Sequence, residues 1–270
     1  MDNQLKFATD AELFVRDSKT GLLTSVAGLL GADKYNKRIL TEDVRIQEDN
    51  VLLEFDINPH TESEMFLKNI SSAMDLSRGE AEKLGFEVVD RVCSHIYTAQ
   101  ELETFHKDAF VFGCDPDFNA LSGEMNPKPQ AKNAGLRTAG AHVHIGYSDL
   151  RPVTFQDQQV LGVMCDYFLG LPSLLLDTGE DAIRRRELYG KAGSVRFKPY
   201  GIEYRTLSNF WVFDEVNRSF VWEQANKAFE AMAGDFMALV RTVDPLDVQN
   251  VINNGDTAMA QQYVKLLKLA

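Results

Sequence analysis

Short runs in which apolar and polar residues alternate predict strands, and their polar faces carry an unusual set of side chains. Leu5–Val15 reads as a first strand, with a turn at Asp17–Gly21. Val51–Asn58 reads as a second strand, ended by Pro59. Phe86–Val92, Leu136–Gly146, Ser194–Lys198 and Ile202–Leu207 follow the same alternation, the last two as a hairpin around Pro199, Tyr200 and Gly201. Elsewhere the period lengthens to that of a helix. Phe66, Ile70, Ala73, Met74, Ala81 and Leu84 mark one over Glu62–Leu84, stopped by Gly85. Thr154–Leu171 is a second, with Pro172 just beyond it. A third runs from an Asp214 N-cap to about Ala233, with Val216, Phe220 and Met232 on one stripe. Thr98 and Glu101 form a capping box for a short helix; Asp244-Pro245 starts another that Gly255 ends, and a last one follows from Asp256. Residues 110–135 read as a long irregular segment, a length that is functional or mobile inside a compact domain. Strands in hairpins interleaved with long helices predict an α+β fold, with helices covering one face of a largely antiparallel sheet.

Four of the predicted strands carry chemically loaded pairs two residues apart: Asp10 and Glu12, Glu54 and Asp56 with Asn58 beyond, His142 and His144, and Glu203 and Arg205. Side chains alternate across a strand, so each pair projects from one face. Laid side by side, the four strands would line a polar surface with carboxylates, imidazoles and a guanidinium. Oxygen ligands grouped as in Glu54, Asp56 and Asn58 suit Mg²⁺ or Mn²⁺. The same segment also fits a half-exposed strand with a solvated outer face, and the Asp10 and Glu12 pair carries the same ambiguity. Gly140 and Gly146 flank the histidines, which leaves room for a close approach to the backbone. His60, His95 and His106 stand outside any such grouping.

Charge changes the picture in one place. The chain of 270 residues has a net charge of −12, which repels a nucleic-acid backbone, yet Arg184, Arg185, Arg186, Lys191, Arg196, Lys198 and Arg205 gather within residues 184–205. A patch of that extent matches a nucleotide's phosphates rather than a polymer. No GxxxxGK[ST] loop occurs, so phosphate would be gripped by arginines and metal. Cys93, Cys114 and Cys165 form no CxxC pattern, which argues against both a disulfide framework and a zinc ribbon. No apolar run approaches the roughly 18 residues of a membrane span, and the N-terminus has no signal-peptide character, so a cytoplasmic protein is expected. A composition of 44% hydrophobic and 25% charged residues with no evident linker predicts a single catalytic domain over 1–270.

The order of these pieces resembles the glutamine synthetase and glutamate–cysteine ligase superfamily. Gln47-Glu-Asp-Asn50 leading into Glu54-Phe-Asp-Ile-Asn-Pro59, then Phe112-Gly-Cys-Asp-Pro116, Ala141-His-Val-His-Ile-Gly146, Arg185-Arg-Glu-Leu-Tyr-Gly190 and Gly201-Ile-Glu-Tyr-Arg-Thr-Leu-Ser-Asn-Phe-Trp211 look most like the phage-encoded carboxylate–amine ligases. The resemblance covers about residues 5–230 and leaves the helices of 231–270 as an addition. It implies a curved antiparallel sheet forming a funnel that holds ATP, Mg²⁺ or Mn²⁺ and an acid substrate, in a host cytoplasm if the chain is phage-encoded. It implies Glu12, Glu54, His142 and Glu203 as metal ligands, with Asp10 an additional one. Arg205 and Arg196 would contact the transferring phosphate, with Arg185 and Lys191 assisting at the nucleotide. His144 would face the acid substrate, with Asn58 beside it, and the chemistry would depend most on Arg205, Arg196 and Glu54.

The implied reaction joins a carboxylate to an amine through an acyl phosphate. Both substrates would be small molecules, with no membrane partner and nucleic acid only as a modified-base acceptor. A homo-oligomer is compatible with the resemblance, whose motifs do not extend to the separate domain with which glutamine synthetase completes its site between subunits. A guanidino kinase would use the same acids and arginines but release a phosphorylated product. A metal-dependent amide hydrolase would need no nucleotide, and a non-catalytic binding protein would keep the fold alone.

Overall fold

In a computed structural model, which describes residues 4–110, 116–128, 130 and 132–269, the fold is mixed α/β around one large antiparallel sheet. Its eight strands are β1 (Lys6–Leu13), β2 (Arg38–Ile39), β3 (Val44–Asp49), β4 (Leu52–Ile57), β5 (Phe118–Asn119), β6 (Ala141–Gly146), β7 (Ser194–Lys198) and β8 (Gly201–Tyr204). They lie in the order β2-β3-β4-β1-β6-β8-β7-β5. On β1 every second side chain, Phe7, Thr9, Ala11 and Leu13, is buried in the apolar layer beneath the sheet. Leu53, Phe55, Val143, Ile145, Ile202 and Tyr204 continue that layer, against which the helices Ser63–Lys83 and Phe155–Leu176 pack.

Two predicted strands break where the alternation breaks. Leu13, Phe14 and Val15 are all fully buried, and three successive apolar residues cannot face one core. The chain turns after Leu13, Phe14 enters a second, smaller core, and Val15–Asp17 pairs with Leu23–Thr24 and Phe86–Val88 in a three-stranded sheet. Phe86–Val92 is correspondingly cut short at Val88. Likewise Leu136–Thr138 pairs with Ser94–Ile96, and only Ala141–Gly146 joins the large sheet. A hairpin partner for β4 went unpredicted: β3 runs antiparallel to it through a turn at Asn50, whose φ is +57°.

The second predicted helix does not stop before Pro172. It runs through to Leu176, because Asp166–Gly170 winds as a π-turn whose wider ring absorbs the proline. The helix is long and apolar enough to cross a membrane, but 78% of its most apolar stretch is buried in the core. The π-turn also presents Asp166, which accepts hydrogen bonds from Gly193 N–H and Tyr204 O–H, both at 2.8 Å, and from Gln249 Nε2 at 3.1 Å. Burial pushes this carboxyl up to about 6. The β7–β8 hairpin is thereby tied to the helix behind it. Val216 is 78% exposed, so the stripe expected on Glu215–Ala233 is wrong at that position; Val221, Ala225, Ala228 and Met232 form the buried face instead. The Thr98 capping box forms as read, and Gly255 ends the Pro245–Asn254 helix at φ +63°.

Candidate active site

The strand register brings the dispersed polar pairs onto the single face opposite the helices. Asp10 stands across from Asp56 on one side and His142 on the other, Glu12 from Glu54, and His144 from Glu203, which in turn faces Arg196. This settles the ambiguity of the Glu54 segment. Every residue of β4 is buried, Glu54 to 7% and Asp56 to 9% exposure, so its polar face is not a solvated exterior.

Two groups on this face could each hold a cation. In one, Asp10, His144 and Glu203 bring a ligand atom each within 4.8 Å of one another; in the other, Glu12, Asp49 and Glu54 do the same. Burial and then the charge of Asp49 push Glu12 up to about 8, although its Oε2 accepts the Gly140 N–H at 2.6 Å. Burial followed by the charges of Asp49, Asp10 and Glu12 raises Glu54 well above the usual range, and burial raises Asp49. Three crowded carboxylates, Glu54 buried and Glu12 and Asp49 half-buried, each resisting ionisation, are a donor set that a divalent cation satisfies. Asp49 escaped the sequence reading, although Gln47-Glu-Asp-Asn50 belonged to the motif. Arg45, Gln47 and Asp49 alternate toward this face on β3, and that alternation was the available signal.

The other group is balanced differently. Burial opposes ionisation of Asp10, but the imidazoles of His142 and His144 outweigh it and hold the carboxyl well below its ordinary value. His142 Nδ1 lies 2.7 Å from Asp10 and 3.8 Å from Glu203, so both imidazoles of the strand reach this pair. Burial, then the Arg205 charge, lowers His142, against the opposite pull of Asp10 and Glu203. Burial and Asp10 oppose ionisation of Glu203, yet Arg205, His142 and His144 overcome both and bring it to about 2. Arg205 pairs with Glu203 and lies 3.2 Å from His142 Nδ1; Arg196 Nη1 and Lys198 Nζ each approach Glu203 to 3.0 Å.

Cavities open at both ends of this row. One, with about 1020 Å³ of empty space including its mouth, is lined by Glu12, Asp49, His142, Arg185, Arg196 and Arg205, with apolar walls from Leu52, Met125 and Leu188. The other, about 930 Å³ by the same measure, takes in Asp10, His144, Tyr200, Lys37, Arg45 and Asp56. In the second, Tyr200 Oη lies 2.6 Å from His144 Nδ1, while Asp56 is shared by Lys37 at 2.7 Å and Arg45 Nε at 2.6 Å.

Other sequence-predicted residues are placed elsewhere. Lys191 is exposed and lines neither cavity. Asn58 also stays out of both, since its amide accepts from Arg45 and donates to Glu42 O, capping the strand end. Arg184 bonds Ser94, and Arg186 donates to Ala182 O within its own helix. Phe112–Asp115 of the motif, with Cys114, lie outside the described residues, so of the irregular segment residues 110, 116–128, 130 and 132–135 are seen.

Arg185 is the close neighbour for which the glycines make room. A Cβ on Gly140 would fall 2.8 Å from Arg185 Nη2, and one on Gly190 only 1.8 Å from Nη1, which donates to Thr206 O at 2.8 Å. Gly190 also holds φ at +77°. Gly190→Ala should therefore dislodge Arg185 and cost about 2 kcal/mol or more in stability. A melting temperature within about 1 °C of wild type would refute this packing.

Residues 133–231 match the family described as Phage phiEco32-like COOH.NH2 ligase-type 2. This bears out the resemblance read from the motifs. The ligase-type match takes in β6, β7 and β8, and so His142, His144, Arg185, Arg196, Glu203 and Arg205, while Asp10, Glu12, Asp49 and Glu54 lie N-terminal to it. A crystal structure described as a novel glutamine synthase homolog aligns at 12% identity over 98% of this chain and 72% of that chain, with a TM-score of 0.34, too distant to support any argument. No curated protein matches the chain.

Proposed function

We propose that this chain is an ATP- and divalent-metal-dependent ligase that joins a carboxylate to an amine through an acyl phosphate. One observation carries the reading: two cation-fitting groups lie on one sheet face between two cavities, one of which is lined by three arginines, Arg185, Arg196 and Arg205. On this reading the arrangement would serve as a two-ended funnel within one catalytic domain. The cavity with Arg185, Arg196 and Arg205 and the apolar walls would take the nucleotide. The cavity with His144, Tyr200, Lys37 and Arg45 would take the acid.

Glu12, Asp49 and Glu54 would hold one divalent ion, and Asp10, Glu203 and the imidazoles of His142 and His144 supply donors for a second. Bound there, Mg²⁺ or Mn²⁺ supplies charge neutralisation for the triphosphate and polarises its terminal phosphoryl group. Arg205 is kept cationic because Glu203, Asp10 and Glu12 together outweigh its burial, so it stands ready to stabilise charge on the transferring phosphoryl group. Arg196 shares that task from the neighbouring strand. His144, oriented by Tyr200, would hold the acid with its carboxylate toward the phosphate. The carboxylate oxygen attacks phosphorus and ADP leaves; the amine then attacks the acyl carbon and inorganic phosphate leaves. An acyl phosphate needs shelter from water, and burial of β4 and β8 beneath the site provides a dry floor.

The test is a panel of amino acids and polyamines incubated with ATP and Mg²⁺ or Mn²⁺, read by phosphate release and by the mass of a new amide. A stoichiometric amide and phosphate are expected. A phosphorylated product without free phosphate would replace the ligase with a kinase, and amide cleavage without ATP would replace it with a hydrolase.

A further inference from the structure

Glu203 carries more cationic partners than one carboxylate needs. Its side chain is 1% exposed; Oε1 accepts from both Arg196 and Arg205, while Oε2 is paired with the Lys198 ammonium at 3.0 Å. Yet Glu203 also stands with Asp10 and His144 in a cation-fitting group. A divalent ion and an ammonium competing for one oxygen exclude each other, and the two guanidiniums, planar and fixed on Oε1, are the harder to move. Lys198 is built to move. Its backbone is clamped from behind by Gln158 Nε2, which donates to Lys198 O at 2.8 Å and Gly201 O at 2.6 Å, while its side chain is 32% exposed on a flexible stem. It sits at the hairpin end beside Tyr200, whose hydroxyl meets His144 in the acid-side cavity.

We propose that Lys198 is a resident counter-ion: a divalent ion takes its place on Glu203 Oε2, and the released ammonium then binds the anionic end of the ligand in the cavity lined by His144 and Tyr200. Lys198 thus couples metal binding to anion binding. The inference rests on the ligase reading, in that it requires a metal at the Asp10, His144 and Glu203 group.

Mn²⁺ titration of the full chain at fixed pH, by calorimetry or electron paramagnetic resonance, tests the exchange. Lys198→Met keeps the aliphatic stem and should bind one Mn²⁺ on the order of tenfold tighter than wild type, since the competing charged hydrogen bond is gone. Lys198→Arg should stay near wild type. Lys6→Met removes a charge that lines the cavity beside which Lys198 stands, but from the 2.5 Å pair with Asp149, and should change Mn²⁺ affinity by less than about twofold. Inorganic phosphate, as the anion probe, should bind Lys198→Met more weakly than wild type in Mn²⁺-saturated protein and equally in metal-free protein. Unchanged or weaker Mn²⁺ affinity in Lys198→Met overturns the role of Lys198 alone, as does a phosphate defect that ignores Mn²⁺. Absence of saturable Mn²⁺ binding in both proteins overturns the ligase reading and this inference with it.

Discussion

Glu54→Gln should abolish turnover, on the order of 10³-fold or more, while making the metal-free protein more stable rather than less. The two effects share one cause. Glu54 is buried beside Asp49, Asp10 and Glu12, all of which raise its pKa, and Gln47 Nε2 donates to its Oε2 at 2.8 Å. A glutamine at this position keeps an acceptor for Gln47 and removes one of these four mutually repelling acids. The pH dependence follows from the direction of the shifts. A carboxyl whose folded pKa lies above its unfolded value binds more protons in the folded state, so stability is greatest below the unfolded pKa and is lost as pH rises. For Glu12 the window runs from its ordinary 4.5 up to about 8. The metal-free protein should therefore melt lower as pH rises through that window, each kcal/mol being worth about 2–4 °C. Mn²⁺ should reverse the trend, because a metal displaces protons from its ligands and binds better as they ionise. Glu54→Gln should flatten the pH slope and lose the Mn²⁺ response. A variant that melts lower than wild type without metal, yet still responds fully to Mn²⁺, would show that Glu54 is a structural acid and no ligand.

Arg205→Ala should lower turnover by on the order of 10³-fold or more, the scale of an arginine acting on a transferring phosphoryl group. Its structural cost should be moderate. Removing one partner of a buried ion pair ordinarily costs about 3–5 kcal/mol. Here Glu203 keeps Arg196 and Lys198, each at 3.0 Å, so about 1–3 kcal/mol is expected. Arg205→Lys separates the two roles. It retains the charge and should recover most of the stability, but a single ammonium lacks the planar fork for phosphate and should restore under about a tenth of the rate. Urea denaturation and steady-state kinetics on the same preparations decide it. Wild-type rates in Arg205→Lys would leave Arg205 as a mere counter-charge to Glu203.

Much of the site was legible because β-strands report their faces directly. Asp10, Glu12, Glu54, His142, His144, Glu203 and Arg205 sit at alternating positions in apolar runs; the first six lie on one face, and Arg205, just past the end of β8, pairs with Glu203 there. Asp49 was missed because its strand, Val44–Asp49, has buried residues at Val44, Ile46 and Gln47 that blur the period, and because the turn at Asn50 hid the hairpin. Lys191 was overread because a run of basic residues in a sequence does not say which of them turn inward. Arg185 turns in, under Gly140 and Gly190, whereas Lys191 stays outside. Pro172 was misread because a proline's effect on a helix depends on the turn preceding it, and a π-turn has no sequence period of its own.

Residue order and spacing were enough to say which side chains point the same way along each strand, because that follows from backbone geometry two residues at a time. They could not say which strands are neighbours. Pairing of β1 with both β4 and β6, and of β6 with β8, joins positions that lie from 40 residues apart, as Leu13 and Leu53, to 140 apart, as Lys6 and Gly146, and only the packing of the apolar layer against its helices selects that order. The same packing divides the acids into a group that resists ionisation, around Glu12, Asp49 and Glu54, and a group already matched with cations, around Glu203. That division depends on burial and distances of a few ångströms between strands, quantities that exist only in the folded chain.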